Sequence, residues 1–383
     1  MKPASTERFL GIEVPKQRIP CLDGLRAVSI VLVLWSHLLG TDGFVPREPL
    51  RLFGDLGVLG VRIFFVISGF LITTLLLTEQ QTGSISLKWF YFRRTMRIFP
   101  AMYAYIGVVA VAALAGAVSI PAREFIFAIT YTMNFVAAPQ WILGHLWSLS
   151  VEEQFYLLWP ATLVALGPSR ALRVALAVVL ITPLVRFWCM YIPAARPLIG
   201  LAFPTIADPL AIGCVLAGMR DRLDSQPTYL AFLRSRWFWC VPIAIAILNA
   251  LPGAKLNALL TQSLMNVGIA IAIDRWVRFP DSPSGVVLNY LPMRVIGVLS
   301  YSLYLSQQLF INPASHSLIN RFPENLVLAI LWAYGSYRLV EKPFLNWRVR
   351  LESRWRQVRV PLAIPLTNNE ASNKVRSATV GNR

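Results

Sequence analysis

Charged residues are scarce in this chain. They make up 14% of its 383 residues, about half the share found in a typical soluble domain, while 56% of the residues are hydrophobic. Several apolar runs approach the length of about 20 residues that a helix needs to cross a bilayer, for example 56–78, 98–120 and 174–192. These features exclude a soluble globular enzyme, a disordered chain and a small disulfide-stapled domain. They predict a polytopic membrane protein with one large intramembrane core.

Cysteines and the motifs of several enzyme classes are also few or missing. The four cysteines form no Cys-x-x-Cys pair, so we expect buried free thiols and neither a structural disulfide nor a metal. The sequence has no glycine-rich phosphate loop, no Gly-x-Ser-x-Gly elbow and no cluster of metal ligands. These absences argue against an ATPase, a serine hydrolase and a metalloprotease.

Basic residues outnumber acidic ones. The chain has 36 Lys and Arg against 19 Asp and Glu, a net charge of +17. Such a balance can indicate nucleic-acid binding, but the sequence has no zinc-finger spacing and no RNA-binding signature, and we expect no nucleic-acid partner. The charges instead follow the positive-inside pattern of a protein whose partner is the lipid bilayer.

The apolar runs predict an all-α bundle of about ten transmembrane helices with both termini in the cytoplasm. The predicted spans are 26–43, 56–78, 97–119, 149–167, 171–192, 203–219, 237–252, 257–274, 294–312 and 324–340. In this topology the outer loops hold few basic residues, namely Arg47, Arg51, Arg123, Arg196, Lys255 and Arg321. An eleventh run, 124–138, is short and polar. A crossing there would invert everything that follows, so we expect it to lie in the interface or to re-enter.

One histidine stands inside a predicted span. His37 lies eleven residues after Arg26, which is three helical turns, so both share a face about 16 Å apart along the axis. Arg26 is placed at the cytoplasmic mouth, and His37 lies past the midplane. An ionisable residue inside a membrane indicates a functional site by default, although a packing role with a neighbouring carbonyl is the alternative.

A basic cluster precedes the third predicted span. Arg94 and Arg97 are three residues apart and point the same way, with Arg93 beside them. Guanidinium groups bind phosphates in a bidentate manner, but ordinary positive-inside anchoring also explains such a cluster. Anchoring does not explain Arg62 in the second span, which must pair inside the bundle or face water.

Acidic residues stand near the start of the fourth span. The predicted topology puts Glu152 and Glu153 at the outer end of that span, near the depth of His37. A carboxylate beside an imidazole fixes its tautomer, whereas glutamate at a solvated helix N-terminus is the alternative interpretation. Asp208 in the sixth span is a further intramembrane acid and a candidate partner for Arg62 or Arg186.

Taken together, these segments resemble the membrane acyltransferase-3 family, which contains bacterial O-antigen and exopolysaccharide O-acetyltransferases. The resemblance covers about residues 19–344, and Arg26 with His37 fits the family's Arg/Lys-x10-His motif. The other matching blocks are Gly60–Ile72, Arg94–Arg97 (its Arg-x-x-Arg motif), Leu146–Tyr156, Leu299–Leu305 and Val340–Phe344. We therefore expect a cytoplasmic arm at 1–18, a membrane acyltransferase domain at 19–345 and a basic, partly disordered cytoplasmic tail at 346–383.

The resemblance implies acyl transfer, most often of acetyl, from cytosolic acetyl-CoA to a hydroxyl of a carbohydrate on the outer side of the bacterial inner membrane. Arg94 and Arg97, with Arg26 and Arg93, are then expected to hold the CoA phosphates. His37 is expected to act as general base or acyl carrier, because a neutral imidazole with a reference pKa near 6.5 suits proton transfer at neutral pH. Glu153 is expected to orient His37.

The sequence departs from the family at one motif. Many relatives have Trp-His after the Ser-Tyr-Ser-Leu-Tyr-Leu run, where this chain has Ser306 and Gln307. Many relatives also carry a periplasmic hydrolase-like domain, so we expect this chain to act alone or with a separate periplasmic partner. The alternatives left open are a transporter or flippase, and the same acyl transfer onto a lipid or a secreted metabolite.

Overall fold

The chain folds as a bundle of helices with one small hairpin. The structure, a computed structural model, describes residues 6–9, 12–15, 19–48, 54–251 and 253–358. Strands β1 and β2 (Thr6–Phe9 and Ile12–Pro15) pair antiparallel within the predicted arm, and Ile12 is buried against the bundle. The helices are α1 Leu22–Leu38, α2 Leu56–Gln81, α3 Leu87–Leu114, α4 Ala122–Ile129, α5 Trp141–Gly144, α6 Leu146–Leu166, α7 Pro168–Cys189, α8 Phe203–Ile206, α9 Asp208–Asp224, α10 Pro227–Arg234, α11 Cys240–Ala250, α12 Ala254–Leu256, α13 Gln262–Arg278, α14 Pro283–Asn289, α15 Leu291–Phe310, α16 Glu324–Ser336 and α17 Lys342–Val358.

Helix α2 is the centre of the bundle and packs between α1 and α9 through glycines. A Cβ added at Gly60 would lie 2.5 Å from the backbone oxygen of Ser29 on α1. A Cβ at Gly213 on α9 would lie 2.3 Å from the backbone oxygen of Val66. Only glycine allows helix backbones to approach this closely, as in the small-residue interfaces of membrane helices.

Helix α15 runs parallel to α1 on its other side. The two N-terminal halves touch where Gly297 meets the backbone of Asp23, and the C-terminal ends meet where His37 contacts Gln307. The pairing of these helices defines two ends of the bundle. We call the end that holds His37 the histidine end, and the end that holds Arg26 the arginine end.

Large apolar side chains cover much of the outside of the bundle. On α7, Leu180, Ile181 and Leu184 are 70%, 53% and 59% exposed. Soluble monomers rarely expose contiguous apolar faces of this kind, whereas a bilayer solvates them. The surface therefore fits the predicted lipid partner.

Within the described residues, three helices are long and apolar enough to cross a membrane, namely α2, α3 and α7. The number rises to five if two bent pairs each count as one span: α10 with 236–250, bent by 72°, and α14 with α15, bent by 55°. The count of ten spans and the location of the termini stay predictions. Helix α4, in the run 124–138, has 8 residues and a length of about 12 Å, too short to cross.

The last helical segment passes the predicted domain boundary at residue 345. A π-helical segment, Tyr337–Glu341, joins α16 to α17, and α17 continues to Val358. The first part of the predicted tail is therefore a continuation of the last helix. The part of the tail predicted to be disordered, 364–383, falls within residues 359–383, which lie outside the described residues.

Candidate functional site

A cavity of about 600 Å³ lies at the histidine end. The next-to-last residue of α1, His37, lines it together with residues from α2, the 136–147 segment and α15. Its polar and aromatic lining comprises Ser36, His37, Arg47, Asp55, Trp141, His145, Trp147, Tyr304 and Gln308. A volume of this size is typical of sites that enclose a small organic ligand.

The imidazole of His37 is held on both sides. Its Nδ1 lies 2.8 Å from Oε1 of Gln307, a fully buried residue of α15. The ring of Trp141 meets it edge-on with centroids 5.2 Å apart, and the Trp141 Nε1 donates to the Ile311 carbonyl oxygen at 2.8 Å. When Nδ1–H donates to Gln307, Nε2 keeps its lone pair and is the nitrogen left to accept a proton.

A second histidine lines the same cavity. His145, directly before α6, is 3% exposed, and its Nδ1 lies 2.7 Å from Oε1 of Gln308. The rings of Tyr105 and Tyr304 pack against it at 5.5 and 5.3 Å, and the Tyr304 hydroxyl donates to its backbone oxygen at 2.8 Å. Consecutive glutamines of α15 therefore fix the two cavity histidines.

The prediction that Glu153 lies beside His37 differs from what the structure shows. Arg94 contacts Glu152 at 3.3 Å and Glu153 at 3.5 Å, with its guanidinium stacked 3.3 Å above the ring of Tyr156. Ser68, in the middle of α2, donates to Glu152 at 2.5 Å, and the Tyr156 hydroxyl also donates to Glu152. This group of charges lies inside the bundle.

The predicted and observed positions of these charged residues differ because of where the helices begin. Helix α6 starts at Leu146, so Glu152 and Glu153 stand nearly two turns inside it and not at its solvated N-terminus. Helix α3 starts at Leu87, ten residues before the predicted span, so Arg94 lies two turns inside. The partner of His37 is Gln307.

The other predicted phosphate ligands lie at the arginine end. Arg26 pairs with Asp23 at 3.1 Å, and Arg93 pairs with Glu79 at 3.1 Å. Arg97 is exposed and has neither an ion pair nor a hydrogen bond from its side chain within the described ranges. The charged groups around it are Arg26, Arg94, Asp23 and Glu341. Of the four arginines, Arg97 is therefore the most available to an anion.

The remaining intramembrane charges form a separate buried network. Arg186 donates to Asp208 at 2.8 Å, which identifies the partner that the sequence left open. Arg62 donates to Asn266 at 3.2 Å and to Gln262 at 2.5 Å, and Asn266 in turn donates to Asp208 at 2.9 Å. The two arginines and the aspartate are at most 1% exposed, so this network joins α2, α7, α9 and α13 and does not line the cavity.

Four residues near the site are not predicted as site residues by the sequence. Gln307 is evident only as a departure from the family's Trp-His, and Glu341 only as part of the matching block Val340–Phe344. Gln308 and Trp141 carry no signal of their own. Glu341, which accepts from Ser302, lies in a π-helical segment, a local irregularity common at functional sites. In the part of the chain that the structure describes, no three His, Cys, Asp or Glu side chains are grouped as a metal site.

Comparison with known proteins agrees with the resemblance. The family described as "Acyltransferase domain" matches residues 19–337. The peptidoglycan O-acetyltransferase OatA of Listeria monocytogenes is 30% identical over 322 residues, which cover 76% of this chain and 49% of that protein. The O-acetyltransferase OatA of Staphylococcus aureus is 30% identical over 368 residues, which cover 85% of this chain and 57% of that protein. The chain thus spans about half the length of these relatives. No solved structure matches it.

Proposed function

Since the chain belongs to this acyltransferase family, we propose that it is a multi-pass O-acetyltransferase of the bacterial inner membrane, with both termini in the cytoplasm. It would transfer acetyl from cytosolic acetyl-CoA to a hydroxyl of a cell-envelope carbohydrate. The relatives named O-acetyltransferase, one of them for peptidoglycan, support the acyl group and the acceptor class.

The single observation that carries the proposal is the state of His37. Its Nδ1 is engaged by Gln307 at 2.8 Å, and the ring lines a cavity large enough for a sugar unit. A fixed tautomer with a free Nε2 is the arrangement that a general base needs.

The proposed step is direct attack. Nε2 of His37 takes the proton of the acceptor hydroxyl, and the hydroxyl oxygen forms a bond to the thioester carbonyl carbon. The carbon–sulfur bond breaks, CoA leaves as the thiolate, and the proton held on His37 is returned to it. Enclosure of both reactants in the bundle supplies proximity, which contributes much of the rate of such a reaction.

The donor enters from the arginine end in this proposal. Arg97, with Arg26 beside it, would hold the phosphates, because its guanidinium has no protein partner in the described residues. The distance from Arg26 to His37 along α1 is about 16 Å, which the extended arm of the donor must cover. Arg94 is already paired with two glutamates, so we assign it to holding α3 against α6 and not to the donor.

The acceptor would occupy the cavity at the histidine end. Trp141 and Trp147 give it aromatic walls, which suit the apolar face of a sugar ring, and Ser36, Arg47 and Asp55 supply polar groups. This cavity faces the end of α1 opposite to Arg26, so donor and acceptor approach from different sides.

The proposal is tested by weighing the envelope glycan of cells that carry the wild type, His37→Ala or a deletion. We expect the glycan of both mutants to be lighter than that of the wild type by one acetyl mass per repeat, with the His37→Ala protein present in the membrane at the wild-type level. An acetyl group lost in the deletion but retained in His37→Ala would refute the role of His37. A glycan unchanged in both would refute the carbohydrate acceptor.

A further inference from the structure

A second cavity of about 680 Å³ lies between α2, α6, α7 and α9. It lies at the arginine end, because the C-terminal turns of α2 and α9 and the N-terminal turns of α7 form it. Neither His37 nor Arg97 lines it, so it is separate from the site described above.

The interior of this cavity is apolar. The indole of Trp159 lines it, and the indole N–H already donates to the hydroxyl oxygen of Thr73 at 2.8 Å. Cys214, 1% exposed, points its sulfur at the Leu210 carbonyl oxygen 3.2 Å away. Leu77, Leu163 and Leu172 also line it, while Gln80, Gln81 and Ser169 lie at its exposed margin. Because its polar atoms are satisfied from within the protein, the interior suits a hydrocarbon chain.

The rim of the cavity is basic. Arg173 on α7 and Arg222 on α9 face it from two helices, and both are exposed. Neither guanidinium has an ion pair or a hydrogen bond in the described ranges, whereas Arg278 on α13 pairs with Asp274. Asp221 is the one acidic residue in the lining. Two free guanidinium groups above an apolar slot match a phosphate joined to a hydrocarbon chain.

The cavity is also within reach of lipid. Val164 and Leu166 at the end of α6 and Leu176 on α7 are 46%, 40% and 39% exposed, and Leu176 lines the cavity itself. A molecule of the surrounding bilayer can therefore reach the slot sideways, without crossing water.

We propose that this cavity is a binding site for one anionic phospholipid of the adjoining leaflet. Its phosphate lies between Arg173 and Arg222, and one acyl chain lies against Trp159, Leu163 and Leu172. An anionic headgroup is favoured over a zwitterionic one, because a choline group would place a positive charge beside the two arginines. The proposal does not depend on the acyl-transfer activity.

The test uses the purified full chain, delipidated in detergent, with phosphatidylglycerol, phosphatidylcholine and acetyl-CoA as separate probes. Retention is measured by native mass spectrometry, and a phosphatidylglycerol with a photoreactive acyl chain maps the contact by peptide sequencing. We expect phosphatidylglycerol to be retained in preference to phosphatidylcholine. The cross-links should fall on peptides that contain Trp159, Leu163 or Leu172.

Variants at the rim make the test specific. Arg173→Gln with Arg222→Gln should weaken phosphatidylglycerol retention on the order of tenfold, as expected for the loss of charge-assisted hydrogen bonds. Arg170→Gln is the matched control, since Arg170 is exposed on the same helix one turn earlier but does not line the cavity. It should bind like the wild type.

Any of four results would overturn the proposal. Equal loss of retention in Arg170→Gln would indicate a general surface effect. Unchanged retention in the double variant, or cross-links elsewhere, would place the lipid at another surface. Retention of acetyl-CoA that the double variant loses, without retention of phosphatidylglycerol, would make this cavity the donor site, and it would leave the role of His37 intact.

Discussion

At the scale of single residues, the proposed mechanism depends on how the imidazole of His37 is held. His37 and Arg26 lie on the same helix, α1. The ring of His37, however, is oriented by Gln307, which lies 270 positions further along the chain. Side chains of this kind, which orient a reacting group through a hydrogen bond, commonly contribute about 10- to 100-fold to activity in the related case of metal-bound histidines.

We predict that Gln307→Ala lowers the rate of acetyl transfer by roughly 10- to 100-fold, because Nδ1 loses its acceptor and the tautomer is no longer fixed. Gln307→Glu keeps an acceptor oxygen at that position and should retain more activity than the alanine variant. The initial rate of CoA release, measured for the purified wild type and both variants, tests this prediction. Equal rates for both variants would show that the hydrogen bond does not orient the ring.

The arginines should separate into two roles. Arg97→Ala should raise the KM for acetyl-CoA and leave the melting temperature in detergent near that of the wild type, because Arg97 has no protein partner in the described residues. Arg94→Ala should instead lower that temperature, since it leaves two carboxylates inside the bundle without their cation, a loss of about 3–5 kcal/mol for a buried pair.

Arg93→Ala is the matched control for Arg97, as Arg93 is nearby but paired with Glu79. We expect Arg93→Ala to raise the KM for acetyl-CoA less than Arg97→Ala does. A larger effect on KM from Arg93 or Arg94 than from Arg97 would contradict this assignment of the donor site.

The sequence predicts which ionisable residues lie inside the bundle, but not which of them meet. An ionisable side chain in an apolar run is conspicuous, so His37, Arg62 and Asp208 stood out without a structure. Partners depend on the depth at which each helix starts, and an error of ten residues at α3 moved Arg94 from the mouth to the interior. A neutral glutamine such as Gln307 has no comparable signal.

At the scale of helices, the main organising feature is the close approach of helix backbones at glycines. Gly60, Gly69 and Gly213 bring α1, α2 and α9 into backbone contact, and α2 is thereby held at the centre. Such contacts replace the hydrophobic effect, which does not distinguish a helix partner from lipid.

We predict that Gly213→Ala destabilises the protein by about 1–3 kcal/mol, the usual cost of overpacking, because the new methyl group meets the backbone of Val66 at 2.3 Å. Gly107→Ala on α3 is the control, since no atom lies within 4 Å of its Cβ position. Thermal unfolding of the purified proteins measures the stability of both variants. A Gly213→Ala variant as stable as the Gly107→Ala variant would contradict the packing described for α2 and α9.

Helix ends were the least predictable part of the elements. The apolar runs located α2 and α7 within a few residues, because composition changes sharply at their ends. The bends of 72° after Arg234 and 55° after Asn289 were not foreseen, as neither is visible in hydropathy alone. The run 124–138, which overlaps α4, is predicted not to span the membrane because it is short and polar.

At the scale of the whole molecule, the account requires donor and acceptor to reach the bundle from opposite sides. The arginine end is the cytoplasmic side in the predicted topology, and α17 extends from that end. The loop between α15 and α16 lies at the histidine end, next to Asp42, which contacts His316 at 2.8 Å.

We predict that Ser317→Cys in that loop reacts with a membrane-impermeant maleimide in intact spheroplasts. Ser353→Cys on α17 should react only after permeabilisation. Both side chains are exposed, so protection reflects the membrane and not burial. The parent chain with its native cysteines gives the background. The reverse pattern would invert the topology and place the donor on the wrong side.

The sequence supplies the class of the whole molecule because composition and basic-residue placement report directly on a bilayer. The two cavities cannot be predicted from the sequence, since each is lined by residues from at least four separate segments. That assembly depends on the glycine contacts and buried networks that only the folded bundle brings together.

The most direct measurement is acetyl transfer in sealed vesicles that hold the protein in one orientation. Labelled acetyl-CoA is offered on the side of α17, and a soluble glycan acceptor is enclosed on the other. The account predicts labelled acceptor with the wild type and none with His37→Ala. Labelled acceptor formed equally by His37→Ala, or movement of unmodified acceptor without any acetyl-CoA, would contradict it.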